Sequence, residues 1–238
     1  MRRILPLFVH VGLTLSAAAG LSPAAAGTLT VDPVLVEIGT ARRAGSVTVR
    51  NVENVPVTIR AYPLAWSQAE GQDRYDETSG VIVSPPVFTI PAGGTQIVRV
   101  GLRQASAAPQ SYRLIIEEVP AAQAGSGIRV ALRLNLPLYS NLPSAAQSDI
   151  AWSASRLDDG QWAIEARNGG SGWVRIDAAA AERATGIDFA DGFGFGTVLP
   201  GSARRWPIGP NPRIGDQARF QQIRSGNDGA APPPPHAR

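Results

Sequence analysis

Apolar and polar residues alternate in short runs along much of the chain, with the period of two that β-strands produce. The runs are rich in Val, Ile, Thr and aromatic residues, and clusters of Gly, Pro, Asn and Asp separate them. No amphipathic helix of convincing length is indicated before Ser144. Short strands at regular spacing are typical of a β-sandwich, so the pattern predicts an all-β protein.

One alternating run, IRVALRLNLPL, extends from Ile128 to Leu138 and is about twice the mean strand length of ~5–6 residues. Alternation over this length predicts a strand with one apolar face. Such a strand near a sheet edge invites aggregation unless something covers it. Two interpretations are open: a strand that faces the core of its own domain, or a strand that serves another protein. The apolar positions are Ile128, Val130, Leu132, Leu134, Leu136 and Leu138.

Residues 1–26 have the pattern of a secretory signal peptide, which is removed from the mature protein. Arg2 and Arg3 precede a mostly apolar segment, and Ala24 and Ala26 form the A-x-A pattern of a cleavage site. A membrane anchor is the alternative, but the strongly apolar part is too short to favour it. We therefore expect a mature chain that lies outside the cytoplasm and has no stable insertion in a membrane.

The remaining chain divides into two β-rich parts and a tail. Residues 27–143 form the predicted first domain and residues 144–224 the second, with small polar residues and proline around the boundary. Within the second domain, Asp159 and Gly160 predict a hairpin turn. An Ala-rich segment farther along supports no assignment. Residues 225–238 are polar and rich in proline, which predicts disorder.

The composition excludes several classes of function. The chain contains no Cys, so disulfide bonds do not contribute, and it contains no Lys. The formal charge of +3 falls to near neutrality without the signal segment, and no basic patch indicates nucleic-acid binding. The two histidines, His10 and His236, lie in the signal segment and the tail. This excludes Ser-His-Asp catalysis, Cys-His catalysis and histidine-based zinc sites in the folded part.

A hydrolase that uses carboxylates alone remains an alternative, with Glu117/Glu118 and Asp158/Asp159 as its acidic pairs. Nothing in their spacing singles out two acids across a cleft, which such an enzyme needs. We therefore predict a non-enzymatic protein without a cofactor or a metal site. The tryptophans are scattered one per strand, which favours core positions over a sugar-stacking surface. They are Trp66, Trp152, Trp162, Trp173 and Trp206.

Several segments, taken in order, are characteristic of a known family. The first begins at Asn51 and ends at Trp66, the second is SPPVFTIPAGGTQIVRV, the third is SYRLIIEEVP, and the alternating run follows. In the second half, NGG at residues 168–170 and LPGSARRW at residues 199–206 continue the series. The chain thereby resembles the periplasmic chaperones of chaperone–usher pilus assembly, the PapD-like family.

The resemblance implies two immunoglobulin-like β-sandwich domains set at an angle, with a cleft between them. It implies a protein of the periplasm that binds incomplete pilin subunits and delivers them to an outer-membrane usher. The alternating run would be a donor strand, lent to a pilin whose own sandwich lacks its last strand. Self-association of the free form is a further expectation, since it would hide the apolar edge. The donor-strand side chains would be Ile128, Val130, Leu132, Leu134 and Leu136.

The alternative to this function is a structural or adhesive β-sandwich subunit of a surface appendage. Such a subunit would carry an N-terminal donor extension, and the first strand pattern instead begins almost at the expected cleavage point. This observation favours the chaperone.

The chain departs from the family at the site that holds the pilin's terminal carboxylate. Better-known members use an Arg in the first strand and a Lys in the last, and these positions are Leu35 and Pro137 here. The Arg that usually follows the last strand is replaced by a neutral residue, Ser140 or Asn141. These features resemble the divergent archaic branch, which assembles spore-coat-U-like pili. An Arg suits two-point binding of a carboxylate, and the candidates are Arg113, Arg99 and Arg133.

Overall fold

A computed structural model describes residues 29–39, 43–104, 108–120, 131–143, 145–186, 196–209 and 223–225 of the 238-residue chain. The expected signal segment, residues 1–26, lies outside the described residues. Residues 226–238, which are the predicted tail without its first residue, also lie outside the described residues. Within the described ranges the chain forms sixteen strands and one helix. The predicted all-β class is confirmed.

Ten strands build the first domain as a sandwich of two sheets. One sheet has the order β1-β3-β8-β6, and the other has the order β2-β10-β9-β4-β5, with β7 also paired to β4. Consecutive strands β1 and β2 belong to different sheets, so the first segment of the chain crosses the sandwich edge. The strands are β1 Leu29–Asp32, β2 Val36–Ile38, β3 Ala44–Asn51, β4 Val57–Ala69, β5 Gln72–Glu77, β6 Val81–Ser84, β7 Val87–Ile90, β8 Thr95–Leu102, β9 Gln110–Glu118 and β10 Arg133–Ser140.

Alternation of buried and exposed residues places one face of each sheet in a shared core, which we call the first core. Val98 and Val100 of β8 are buried there, as are Leu114 and Ile116 of β9. Burial of each side chain of this size stabilises the fold by about 1.5–3 kcal/mol. The residues between them point to the outer faces of the two sheets.

A buried asparagine fixes the chain at one end of the first domain. The side chain of Asn51 is fully buried, and its Nδ2 donates to the carbonyl oxygens of Val55, Ile90 and Pro91 at 2.7, 3.2 and 3.1 Å. Asn168 of the second domain is buried in the same way and donates to two carbonyl oxygens. Both asparagines belong to the segments that carry the family resemblance.

The second domain has a four-stranded sheet of order β15-β12-β11-β16 and a two-stranded sheet, β13-β14. The predicted hairpin is confirmed, because β11 and β12 are antiparallel and Gly160 has a φ of 82° in the turn between them. The Ala-rich segment is a helix that begins after the N-cap Asp177. Ser225, which the sequence assigns to the tail, is the last residue of β16. The elements are β11 Ile150–Arg156, β12 Trp162–Asn168, β13 Val174–Ile176, α1 Ala178–Thr185, β14 Gly196–Val198, β15 Ala203–Gly209 and β16 Ile223–Ser225.

Candidate functional site

Strand β10 is paired along one whole side and only at its end along the other. It is antiparallel to β9 over its full length. On the other side, β2 pairs in parallel with residues 138–140. Over the ranges that the structure describes, no strand pairs with residues 133–137 on that side. We call this side of residues 133–137 the open edge of β10.

Every second residue of β10 directs its main-chain groups at the open edge. The N–H of Glu118 donates to the carbonyl of Leu132 at 2.9 Å, so Leu132 and the residues that alternate with it face β9. Arg133 and Asn135 therefore direct their N–H and C=O groups at the open edge. Pro137, the next residue of this series, has no N–H. The row of free donors thus ends just before the pairing with β2 begins.

The side chains of the predicted donor strand divide into three groups. Leu132 and Leu134 are partly buried and pack against the first core. Leu136 is 6% exposed and belongs to that core. Ile128 and Val130 lie outside the described residues. The C-terminal half of the strand is therefore committed to its own domain, whereas Leu132 and Leu134 keep exposed apolar surface beside the open edge.

Arg113 lies on the outer face of the sheet that contains β10. Its partners in register are Leu64 on β4 and Pro137 on β10. The guanidinium carbon of Arg113 is 3.6 Å from the ring centroid of Trp66, which is a cation–π contact. Such a contact uses the flat face of the guanidinium and leaves its N–H groups pointing outward in the plane. The Nε of Arg113 is buried and has no hydrogen-bond partner among the described residues.

Trp66 belongs to an aromatic cluster where the two domains meet. Its ring centroid lies 6.0 Å from that of Tyr139, and Tyr139 stacks on Trp173 of the second domain at 5.0 Å and an interplanar angle of 10°. Leu199 of the second domain is buried in the same cluster. Burial raises the pKa of Tyr139, so its hydroxyl stays neutral. Arg113 therefore lies beside a surface that is largely shielded from water, where an ion pair is screened less than on an exposed one.

Arg133 lies close to the open edge but is already paired. Its Nη2 donates to the hydroxyl of Tyr62 at 3.2 Å, and its Nε is 3.6 Å from Oε2 of Glu117. Arg60 forms a salt bridge with the same carboxylate. Burial acts to raise the pKa of Glu117, but hydrogen bonds from Tyr62 and Arg60 outweigh it and hold this pKa below its usual value. An incoming carboxylate would have to compete with Glu117 for Arg133.

Arg99 lies on the other sheet of the sandwich. It alternates on β8 with the buried Val98 and Val100, so its exposed side chain points away from the first core on the far side from Arg113. Of the three candidate arginines, Arg113 is the one whose guanidinium lies against the aromatic cluster.

The family model described as "Pili and flagellar-assembly chaperone, PapD N-terminal domain" matches residues 28–142. Residues 28–142 therefore belong to the PapD N-terminal domain family of pilus-assembly chaperones. No curated protein matches the sequence significantly. The family resemblance seen in the sequence is therefore confirmed.

Solved structures of pilus chaperones have the same fold as this PapD-like chain. The CsuC–CsuE chaperone–tip adhesion subunit complex from archaic Csu pili of Acinetobacter baumannii matches with 24% sequence identity and a TM-score of 0.64. The match covers 76% of this chain and 88% of that one. The SafA pilin–SafB chaperone complex of Salmonella enterica matches with 13% sequence identity and a TM-score of 0.54, and the match covers 76% of this chain and 83% of that one. The E. coli chaperone DraB matches with 13% sequence identity and a TM-score of 0.51, and the match covers 76% of this chain and 84% of that one. These similarities concern the fold, which is two immunoglobulin-like sandwiches.

The two positions at which other PapD-like chaperones are expected to carry basic residues lie next to Arg113 or its aromatic cluster. Leu35 packs against the aromatic cluster, and Pro137 is directly opposite Arg113 in the β-ladder. The chain therefore retains a cation in this region, one strand away from the expected Lys position.

The acidic pairs considered for a hydrolase do not form a catalytic pair. Glu117 and Glu118 are adjacent on β9, so their side chains leave opposite faces of the sheet. Hydrogen bonds from Tyr62 and Arg60 also hold the pKa of Glu117 below its usual value, which is unfavourable for a general acid. Asp159 caps the hairpin turn by accepting from the main-chain N–H of Gln161 at 2.9 Å.

A polar contact between the two domains adjoins the aromatic cluster, and sequence reasoning did not predict it. The side-chain amide of Gln68 donates to the carbonyl of Thr197 at 2.6 Å and accepts from the N–H of Leu199 at 3.0 Å. Asp73 of β5 forms a salt bridge with Arg204 of β15. These partners are separated by about 130 positions in the sequence, and no local pattern signals their contact.

A cavity of about 430 Å³ also lies at the domain junction. Its lining includes Trp66, Gln68, Tyr112, Leu199 and Ser202, and none of the residues that line it is charged. This lining does not suit a carboxylate. Among the described residues, no group of His, Cys, Asp and Glu side chains could hold a metal ion. In the same part of the chain, no helix combines the length and apolar character needed to cross a membrane.

Proposed function

We propose that this protein is a pilus-assembly chaperone that binds incomplete pilin subunits by donor-strand complementation. The observation that carries the proposal is the open edge of β10, where free main-chain groups adjoin partly exposed leucines. A sandwich that lacks its last strand exposes unpaired main-chain groups beside an open core, and both are costly in water. An added strand with one apolar face satisfies both needs together.

The donor function is divided along the alternating run. Leu136 is already buried in the first core, so it contributes to the chaperone's own stability. The client-facing part consists of Ile128, Val130, Leu132 and Leu134, each worth at most about 1.5–3 kcal/mol when fully buried. Ordering of the strand and the loss of free rotation reduce that gain on binding. The N–H and C=O groups of Arg133 and Asn135 provide the hydrogen bonds of the joint sheet.

Arg113 is the proposed anchor for the terminal carboxylate of the pilin. The cation–π contact with Trp66 places its guanidinium beside the aromatic cluster. A carboxylate in the plane of the guanidinium could form two parallel hydrogen bonds with it. Arg133 is a weaker candidate because Glu117 and Tyr62 occupy it, and Arg99 faces away.

The wider role follows from the same site. The chaperone would act in the periplasm after removal of residues 1–26, keep the bound pilin from aggregating, and pass it to an outer-membrane usher. In the absence of a client, pairing of two open edges would protect them from non-specific association. The archaic branch remains the proposed subgroup, because Pro137 interrupts the open edge where a Lys is expected.

Co-expression with a pilin subunit tests the proposal. The double variant Leu132→Asp, Leu134→Asp places charge beside the open edge and should abolish recovery of pilin with the chaperone from the periplasm. Ile97→Asp is the control, since Ile97 is 51% exposed on a strand of the opposite sheet. Thermal unfolding of each variant alone checks the fold. Undiminished pilin recovery by a folded double variant would contradict the donor-strand proposal.

A further inference from the structure

Asp73 is a partly buried carboxylate that contacts both domains at once. Its Oδ1 accepts hydrogen bonds from Nε1 of Trp66 at 3.0 Å and from Nε2 of Gln68 at 2.8 Å. Its Oδ2 is paired with the guanidinium of Arg204 on the second domain. Tyr75 donates to the same oxygen at 3.3 Å. The carboxylate therefore accepts from four side chains, which arrive from β4, β5 and β15.

Water is largely excluded from this group of contacts. The side chains of Asp73 and Arg204 are 14% and 21% exposed. Burial acts to raise the pKa of Asp73, but hydrogen bonds from Gln68 and Trp66 and the charge of Arg204 outweigh it, and this pKa is lowered. Asp73 is thus held in its charged form, in which it accepts hydrogen bonds most strongly.

The second domain presents Arg204 to Asp73 from a constrained position. A Cβ on Gly196 would lie 2.8 Å from Nε of Arg204, so the side chain of Arg204 runs close over the main chain of β14. The main-chain N–H of Arg205 donates to the carbonyl of Gly71 at 2.8 Å, which ties β15 to the turn just before Asp73. The relative position of the two domains therefore determines where Asp73 meets its cation.

Trp66 links this carboxylate to Arg113. Its indole N–H donates to Asp73, and the face of the same ring carries the guanidinium of Arg113 at 3.6 Å. A tryptophan ring has two side-chain torsions, and a hydrogen bond at Nε1 fixes the second one, which sets the plane of the ring. The plane of the ring in turn sets the plane in which Arg113 directs its N–H groups.

We propose that Asp73 is a positioning residue for Arg113, and that the Arg204–Asp73–Trp66 contacts make carboxylate binding depend on the docking of the second domain. The inference rests on the proposed function, in which Arg113 binds the client's terminal carboxylate. It gives the second domain a part in client binding without direct contact. Loss of either Asp73 or Arg204 should loosen Trp66 and Arg113 together.

Side-chain NMR of the full-length protein without a client tests the positioning directly. Stacking at 3.6 Å should shift the side-chain protons of Arg113 upfield through the ring current of Trp66. Asp73→Asn and Arg204→Gln should each move these signals most of the way toward unstacked values. Arg74→Gln is the control, because Arg74 is exposed on the same strand as Asp73 and pairs with Glu70. Arg113 signals that remain upfield in both folded variants would overturn the proposal.

A double-mutant cycle with a co-expressed pilin tests the functional consequence. Asp73→Asn should lower pilin recovery in the wild-type background and cause no further loss in an Arg113→Ala background, because both changes remove the same contact. Equal losses in the two backgrounds would show that Asp73 acts on the fold alone and would overturn the positioning role. If Arg113→Ala leaves recovery unchanged, the anchor in the proposed function fails, and the NMR result still decides whether Asp73 positions Arg113.

Discussion

Arg113 lies directly opposite Pro137 in the antiparallel ladder between β9 and β10. Residues opposite each other on one face of a sheet have side chains in contact range. A cation at position 113 and one at position 137 would therefore serve the same small region of the outer face. The proline has a separate effect, since it removes an N–H from the open edge. Pro137, in place of the Lys expected from the family pattern, therefore has two consequences. The nearby cation is Arg113 on β9, and the free N–H groups of the open edge end at residue 137.

Arg113→Ala should weaken pilin binding by about 10- to 150-fold, the effect of losing hydrogen bonds worth ~1.5–3 kcal/mol to a charged group. The rate at which labelled chaperone replaces bound chaperone in a purified chaperone–pilin complex measures the change. Arg99→Ala is the control, because Arg99 is also a strand arginine but is exposed and lies on the opposite sheet. Equal, small effects of the two changes would remove Arg113 from the site.

Asn135→Pro should weaken pilin binding while leaving the chaperone's own sheet intact. The N–H of Asn135 points at the open edge, so proline removes a bond to the client and none to β9. The loss of one hydrogen bond and an unpaired client carbonyl predicts about 5- to 30-fold faster release of pilin, on the basis of ~1–2 kcal/mol. The same exchange experiment measures it.

Asn135→Ala is the control for this change, because it removes the same exposed side chain but keeps the N–H. It should behave like the wild type. If the proline variant releases pilin at the wild-type rate although its thermal stability is unchanged, the client does not pair with the open edge at this residue.

The sequence was sufficient to predict the strands and the all-β class, because a period of two in apolar residues reports directly on a sheet with one buried face. The sequence could not show which part of the alternating run packs in the first core and which part keeps exposed apolar surface. Leu132 and Leu136 occupy equivalent positions in that pattern, and which of them is committed to the first core depends on where β2 begins to pair. Pairing of that kind is a tertiary contact, and no local periodicity encodes it.

The same limit applies to the site. Arg99 and Arg113 both alternate with buried residues on strands, and only the sheet to which each strand belongs separates them. Trp66 was predicted as a core residue and is 3% exposed, yet it clusters with Tyr139 and with Leu199 of the second domain rather than with the first core. Asp73 carries no sequence signal at all, because its importance depends on Arg204, far away in the chain.

The stability of the protein should fall more steeply below pH ~4 in the wild type than in Asp73→Asn. The pKa of Asp73 is lowered in the folded protein, so its stabilising effect is present above the ordinary carboxyl value of ~3.9 and is lost as the pH falls through the lower folded value. Burial raises the pKa of Tyr75 above its usual value of ~10, so its hydroxyl stays neutral throughout this range. Urea unfolding at a series of pH values measures the slope.

Asp76→Asn is the control for the pH series, since Asp76 is exposed on the same strand. It should retain the steep wild-type slope. A slope of Asp73→Asn that matches the wild type would mean that Asp73 does not gain its partners in the folded state.

Gly196→Ala should destabilise the protein by about 1–3 kcal/mol, the usual cost of overpacking. A Cβ at this position would lie 2.6 Å from Cζ2 of Trp206 and 2.8 Å from Nε of Arg204, so both side chains must move. Because Arg204 pairs with Asp73, Arg113 should also lose part of its stacking on Trp66. Urea unfolding and the NMR signals of Arg113 measure the two effects. Gly39→Ala, where a Cβ meets nothing within 4 Å, should change neither, and a stable Gly196→Ala with unshifted Arg113 signals would contradict the link between β14 and the anchor.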